Sequence, residues 1–572
     1  MWLLQQKYYI GFAHNLKAYD GIFVMKFIGN NPLPSDRKPK IILNGLKLMS
    51  IEFENVKLID SHNFIPIPLS KFPKTFGFKE MHKGYFPHNF NTPENQNKIF
   101  ETIPPIDMYG DKFMSINDHD DFIKWHSKQK GVFNFQEELY KYCLSDVDIL
   151  KMGCLLYRKL FMKVSKKSLS DVGIDPFLEC VTLPAACHLI YRRNFMKPHT
   201  ISLIADYGFD PSQNYSHKQM LWLKYVRFKE NVQIQHCFNS KEKKICNYPV
   251  DGYCKETDTV YEFQGCFMHG CPTCYESTSY NPLKCQTMGF LYKVCLERTS
   301  FIKGIVKNFV EIWEHEWDIM IKSDFELKDF CKDSEIRPAL KPREALYGGR
   351  TNAAKLYHLC EKDEKIKYFD VTSLYPYVQK TQTFPLGAPK IITEVNHLDV
   401  YQFFGLIHCR ILPPKKLLFP VLPARIGDKL LFALCSACAT LKLKTCDHSE
   451  KDRMLEGTWV TEEVKLAVRN GYKVLKIFSV WHWNASEKYD AEKKSGGLFT
   501  EYVNTFLKVK QENSGYPSWC ENDNDKDKYI EEYERNEGIR LKKDNICYNE
   551  GLRSISKLLL TSFWGPLSSS NK

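Results

Sequence analysis

Tyr368-Phe369-Asp370-Val371-Thr372-Ser373-Leu374-Tyr375-Pro376-Tyr377 is the stretch on which the fold turns. An apolar run rich in aromatic and β-branched residues ends in a carboxylate, and a Ser-Leu-Tyr-Pro turn follows. The pattern predicts a strand that ends at Asp370. A strand-terminal Asp can hold a divalent metal. The turn after it can present the backbone N–H groups around Ser373 and Leu374 to phosphate oxygens. Tyr375 can stack under a sugar ring and exclude a 2′-hydroxyl.

The rest of the composition bounds the protein. A chain of 572 residues is too long for one core and predicts about three or four domains. A hydrophobic content of 43% is that of a globular protein. Lys and Arg number 80 against 68 Asp and Glu, a net charge of +12 that favours a polyanionic partner. No apolar run reaches the length of a membrane span. Met1-Trp2-Leu3-Leu4 is followed at once by Gln5-Gln6-Lys7, which is no secretory signal. The 20 cysteines then read as reduced thiols and metal ligands of an intracellular protein.

Working towards the N-terminus, Ile10-Gly11-Phe12-Ala13-His14-Asn15 reads as a short strand, and an apolar helix follows Asp20. Asn15 and Asp20 flank one helix entry, where a carboxylate can face a metal. Tyr142 and Asp146 stand four apart on a helix and share a face. Leu150 and Leu155 continue that helix. Asp60-Ser61 reads as a turn or a contact to a single strand.

From about 226 to 300 the chain becomes cysteine-rich. Asp251, then a strand bearing Glu262-x-Gln264, approximates the D…E-x-K layout of metal-dependent nucleases, with Gln264 in place of the Lys. Cys266, His269, Cys271 and Cys274 form one tetrahedral zinc set by ligand type, with Cys246, Cys254 and Cys285 near enough to replace a member. Towards the C-terminus, Gly348 and Gly349 let backbone approach a phosphate and Arg350 adds charge. Gly405 to Ile411 alternates as a strand. Cys435, Cys438, Cys446 and His448 have good zinc spacing. Phe506 to Gly515 is helical in character and Asn522 to Glu537 is charged and solvated; neither argues catalysis. Arg553 and Lys557 share one helical face and can clamp a triphosphate, with Phe563-Trp564-Gly565 as an aromatic floor.

Taken together, these motifs resemble those of protein-primed family B DNA polymerases of the organellar, viral and large self-synthesising DNA transposon type. The run from Asp370 to Pro376 resembles the first palm motif, and Arg553 to Gly565 the fingers motif K-x3-N-S-x-Y-G, with Thr561 for Asn and Trp564 for Tyr. Tyr347-Gly348-Gly349 resembles the Y-x-G-G element, with Leu346 where its Tyr would stand. Asn15 to Asp20 and Tyr142 to Asp146 resemble the second and third motifs of the 3′–5′ proofreading exonuclease. The segment Gly265 to Pro272 looks like part of very-short-patch mismatch endonucleases.

The resemblance implies an α/β multidomain chain: a ribonuclease-H-like exonuclease domain over 1–165, a helical connector over 166–225, a cysteine-rich endonuclease-like insertion over 226–300, and a partial palm and fingers over 301–572. It implies Mg²⁺ on Asp370, Asp20 and Asp146. Tyr142 would place the attacking water, and Asn15, Gly348, Gly349 and Arg350 would touch DNA. Ser373, Leu374, Tyr375, Arg553 and Lys557 would hold the nucleotide. Partners are then a DNA template and primer, deoxynucleoside triphosphates and a terminal primer protein, with structural Zn²⁺ at the cysteine sets, no membrane, and the nucleus as the compartment for a eukaryotic mobile element. The family also carries a D-x-E strand at its exonuclease start and a D-T-D strand after the fingers. Neither is in this sequence, so the chain alone is expected not to extend a primer. The rival expectations are a metal-dependent endonuclease on Asp251 and Glu262, and a non-catalytic DNA-binding relic.

Overall fold

The computed structural model describes residues 8–564 except 19, 32–38, 46, 54–55, 79–83, 169, 202–214, 241, 335, 337–339, 352, 354, 394 and 396. Of the residues named from the sequence, Met1 to Lys7 and Gly565 lie outside the described residues. Two compact units divide the chain, and both are discontinuous. One comprises Met1–Met196, Cys360–Thr383 and Lys488–Lys572; the other comprises Lys197–Leu359 and Phe384–Glu487. These divisions differ from the continuous ones expected at 165, 225 and 300.

The first unit opens with β1 (Tyr9–Ala13) and α1 (Asp20–Asn30), followed by β2 (Lys40–Asn44), β3 (Lys47–Phe53) and β4 (Val56–Asp60). The sheet order is β1-β4-β3-β2, with β1 parallel to β4 and the other pairs antiparallel. Gly21 lets α1 lie close on this sheet: a Cβ there would meet Leu48 Cδ2 at 2.5 Å. The long helix α2 (Phe135–Val164) starts where the Asn134 side chain accepts the Glu137 amide. Its buried face runs through Ile149, Gly153, Tyr157 and Phe161. At Gly153 a Cβ would lie 2.3 Å from the Phe72 ring, so only glycine admits that ring. The same core takes in Tyr502, Phe506, Ile555, Leu559 and Phe563 from the far end of the chain. Those residues come from helices Thr500–Glu512 and Glu550–Ser562.

The strand expected before Asp370 does not form. Residues 365–371 carry no regular structure, and Tyr368 and Phe369 are 90% and 84% exposed. A strand exists through its hydrogen-bonded neighbour, and among the described residues no strand lies beside this run. A helix, Leu374–Thr381, follows it, entered through Ser373 in the left-handed region (φ 57°). The charged stretch 522–537 is also not wholly solvated: it is the helix Asp523–Glu537, and Tyr529 and Ile530 bury against Ile539, Leu541 and Ile546.

Two sheets of the second unit have more than two strands. In the first, β5 (Gly252–Cys254) lies antiparallel to β6 (Thr259–Gln264), and β7 (Asn308–Trp313) lies parallel to β6 on its other side. All six residues of β6 are buried, as expected of a central strand with both faces covered. Trp222, Tyr261, Phe263, Ile312 and Trp317 fill its core. The second sheet is antiparallel throughout, from β8 (Lys390–Ile392), β9 (Gly405–Leu412), β10 (Leu455–Val460) and β11 (Lys473–His482), in the order β8-β11-β9-β10. The alternating burial of β9 matches its alternating sequence. Ile407, Cys409, Ile411, Trp459 and Val480 make that core.

Candidate nucleotide and metal sites

Asp370, Ser373, Leu374 and Tyr375 all lie on the surface of the first unit. Tyr375 is 58% exposed, and Pro376 anchors the helix entry by burial. Among the described residues Asp370 belongs to no cluster of three or more metal ligands. The same is true of Asp20 and Asp146. Two-metal chemistry needs carboxylates converging on both ions, so the described residues do not fit a pair of Mg²⁺ ions at either place.

The helix Glu550–Ser562 buries Leu552, Ile555, Leu559 and Leu560 and turns Arg553 and Lys557 outward. The helix Thr500–Glu512 packs against it, and Tyr502 donates to the Leu559 carbonyl at 3.1 Å. That packing brings up a third cation that the sequence reading passed over. Lys510 is pulled below the usual lysine range by burial first and then by the charges of Arg553 and Lys557. The aromatic floor is not as expected. Phe563 is 2% exposed, packed among His188, Tyr191, Phe499 and Tyr502. It is a core residue because its position continues the buried stripe of the helix. The Thr561 hydroxyl donates back to the Lys557 carbonyl at 3.0 Å.

In the sheet-bearing part of the unit, Asn15 sits in the left-handed region (φ 68°) and Asp20 is the exposed first residue of α1. Tyr142 and Asp146 lie on α2, and the Tyr142 hydroxyl is 3.5 Å from His88 Nε2. Asp60 is the residue that shapes this corner. It is fully buried, and its oxygens accept the backbone N–H groups of Asn15, Lys17 and His62 at 2.9, 3.0 and 2.9 Å. Ser61 is equally buried and donates to the Ala13 carbonyl. Asp60-Ser61 is therefore a turn anchor, and the strand-contact reading fails because neither side chain reaches the surface.

In the second unit two cysteine–histidine clusters form. Cys435, Cys438, Cys446 and His448 have their ligand atoms within 4.8 Å of one another. Cys435 caps the short helix Ser436–Leu441, its sulfur accepting the Cys438 amide at 3.3 Å. His448 Nδ1 lies 3.7, 3.3 and 3.8 Å from the three sulfurs. Hydrogen bonds from His448 pull the Cys446 thiol down to about 6. The other cluster is Cys266, Cys271, Cys274 and His315. His269, expected as its fourth ligand, is not part of it. Parallel pairing of β6 with β7 sets Gln264 against Trp313, so Cys266 and His315, each two residues past the end of its strand, arrive together. Cys266 and Cys271 sulfurs are 3.3 and 3.5 Å from His315 Nδ1. A zinc ion with bonds of about 2.0–2.3 Å spans donor sets of this size, and three thiolates with one imidazole are zinc ligands by type.

Gly348 and Gly349 are exposed with open space where a Cβ would be. The neighbouring Tyr347 donates to the Thr458 carbonyl at 3.2 Å, and burial pushes its phenol up to about 12. Arg350 stacks on Phe432, 4.2 Å from the ring centre, and donates to the Pro420 carbonyl. Asp251 and Glu262 come together around Arg298.

A profile of the family described as DNA polymerase type B, organellar and viral, matches residues 3–256 and 340–529, most of the chain. The chain therefore belongs to the type B DNA polymerases of organelles and viruses, a family of DNA-directed DNA polymerases. The unmatched residues 257–339 take in β6, β7 and the cluster of Cys266, Cys271, Cys274 and His315. A "Probable DNA polymerase" of Podospora anserina is 27% identical over 177 residues, which are 30% of this chain and 11% of that one. The Phi29 DNA polymerase in an orthorhombic crystal form is similar at a TM-score of 0.40 and 12% identity, over 100% of this chain and 61% of that one. The Phi29 DNA polymerase complexed with primer-template DNA and incoming nucleotide substrates gives 0.36 and 11%, over 99% and 60%. The chain thus spans about a tenth of the fungal relative's length and about three fifths of the phage enzyme's.

Proposed function

We propose that this chain provides the template- and nucleotide-binding surfaces of a DNA-directed DNA polymerase of the protein-primed type, working in DNA replication. The observation that carries the reading is the family match from 340 to 529, which takes in Gly348, Gly349, Arg350 and the whole run from Asp370 to Tyr375. The surface exposure of Asp370 and Tyr375 and the outward cations of Arg553 and Lys557 support it. Tyr375 offers a ring to the sugar of an incoming nucleotide. The backbone N–H groups at the entry of Leu374–Thr381 receive phosphate oxygens. Arg553 and Lys557, with Lys510 behind them, oppose the triphosphate charge. Divalent metal, when held by a full carboxylate set, neutralises the developing charge of phosphoryl transfer. The β1–β4 sheet with α2 is read as an exonuclease-like fold that holds a frayed strand near Asn15, Asp20, Tyr142 and Asp146. The terminal protein and the mobile-element setting rest on the sequence resemblance.

The two cysteine–histidine clusters take Zn²⁺ as folding staples, a role their donor chemistry supports.

Nucleotide binding tests the reading, followed by fluorescence anisotropy of a labelled deoxynucleoside triphosphate on a primed template. Lys557→Ala and Arg553→Ala are each expected to weaken binding about tenfold, the loss of one charge-assisted contact. Unchanged affinity in both variants would sink it. In primer extension with Mg²⁺, no incorporation is expected from the chain alone, because Asp370 gathers no second carboxylate among the described residues. Incorporation that Asp370→Asn abolishes would overturn that expectation.

A further inference from the structure

Beside β6 the carboxyls of Glu262, Asp251 and Glu242 gather near the guanidinium of Arg298. Glu262 lies on β6 and is 3% exposed. Both of its oxygens are taken by Arg298, which reaches from the helix Met288–Lys303. Nη1 meets Oε2 at 2.9 Å and Nη2 meets Oε1 at 2.8 Å, while Nη2 also donates to the Pro249 carbonyl at 2.6 Å. Asp251, at the turn into β5, accepts the Phe263 amide at 2.8 Å. Burial, and then the charge of Glu262, push the carboxyls of Asp251 and Glu242 upward.

A second observation points into the same place. Gln264 lies two residues along β6 from Glu262 and so shares its face. It is wholly buried, and its Nε2 has no hydrogen-bond partner. Its Oε1 accepts the Cys295 thiol at 3.4 Å. Cys295 and Arg298 are one turn apart on their helix, so the thiol and the guanidinium face the strand together.

Carboxylates in such a site need a cation. A divalent ion binds carboxylate oxygens through the lone pairs that a bidentate guanidinium occupies. The two are therefore competitors for Glu262. Arginine keeps its charge at any working pH and its planar fork fits both oxygens, so it is a persistent occupant. We propose that Arg298 is the resident cation of a latent divalent-metal site formed by Asp251 and Glu262, and that this site takes a hard divalent ion once the guanidinium is removed. With the fork in place the module carries a nuclease-like carboxylate layout without a metal. The proposal does not depend on the polymerase reading.

Mn²⁺ binding to the full chain, read by electron paramagnetic resonance of the free ion, tests it. The native protein and Glu262→Gln are expected to bind the same number of ions. Arg298→Met is expected to bind one more Mn²⁺ per chain, and Arg298→Met with Glu262→Gln to lose it again. Circular dichroism and zinc content report whether each variant is folded. A folded Arg298→Met that gains no ion overturns the proposal. If Arg298→Met does not fold, the native protein and Glu262→Gln decide: equal binding upholds Arg298 as the occupant, and an ion lost in Glu262→Gln shows that the metal was already there and overturns it.

Discussion

Asp60 does more for the N-terminal corner than any residue singled out for chemistry there. Its buried carboxylate holds three backbone N–H groups, two of them in the turn that carries Asn15. Asp60→Ala is expected to cost about 3–4 kcal/mol, since hydrogen bonds to charged groups are worth roughly 1.5–3 kcal/mol each and the amides would be stranded. Urea denaturation of the two proteins measures it. His236 sets a different kind of limit. It is 8% exposed, and burial, then Arg227, pull its imidazole down to about 3. A histidine with a depressed folded pKa is neutral in the fold and takes its proton on unfolding. Stability is therefore lost as pH falls from the unfolded value near 6.5 towards 3, at about 1.4 kcal/mol per pH unit. His236→Gln is expected to make the second unit's urea midpoint less sensitive to pH between 6.5 and 4.5, by about 2–3 kcal/mol over that window. Equal pH dependence in both proteins would contradict this account.

At the scale of elements, what could be read in the sequence was what is local. Cys435, Cys438, Cys446 and His448 fall within one turn and its loop, so spacing alone brings the four side chains to one place. The helical faces of Tyr142 with Asp146 and of Arg553 with Lys557 were legible for the same reason, since 3.6-residue periodicity is a local property. His315 was not legible. It reaches Cys266 only because β6 and β7 pair in parallel in one register, and nothing in either strand announces the other. Asp370 shows the converse limit. Its apolar run has strand composition, but β structure is made between segments, and among the described residues no strand lies beside it. The ligand swap is directly testable by metal content. His315→Ala and Cys271→Ser are each expected to release one zinc per chain, His269→Ala none, and Cys438→Ser the other ion. Zinc lost with His269→Ala would restore the shorter-range set.

The whole molecule is divided in an unusual order along the chain. The first unit needs the helices Thr500–Glu512 and Glu550–Ser562 to close its core: Ile59, Phe72 and Tyr157 bury with Tyr502, Leu559 and Phe563. The second unit is complete by Glu487. Its cores draw only on residues between 220 and 480. The expectation is that a chain ending at Glu487 keeps the second unit's zinc and its tryptophan packing while the first unit loses cooperative unfolding. Limited proteolysis, near-ultraviolet circular dichroism and zinc analysis of that truncation check it. Protection of the first unit's N-terminal segment in the truncated chain would refute it. During synthesis the same arrangement inverts the order of maturation. At about 5–20 residues per second, the ribosome takes on the order of a minute to pass from Phe72 to Phe563, and through that interval the opening sheet waits on the tunnel with its apolar face uncovered. Of the two units, the one whose synthesis starts earlier is the one whose core closes later, which makes its nascent form the natural client of a chaperone.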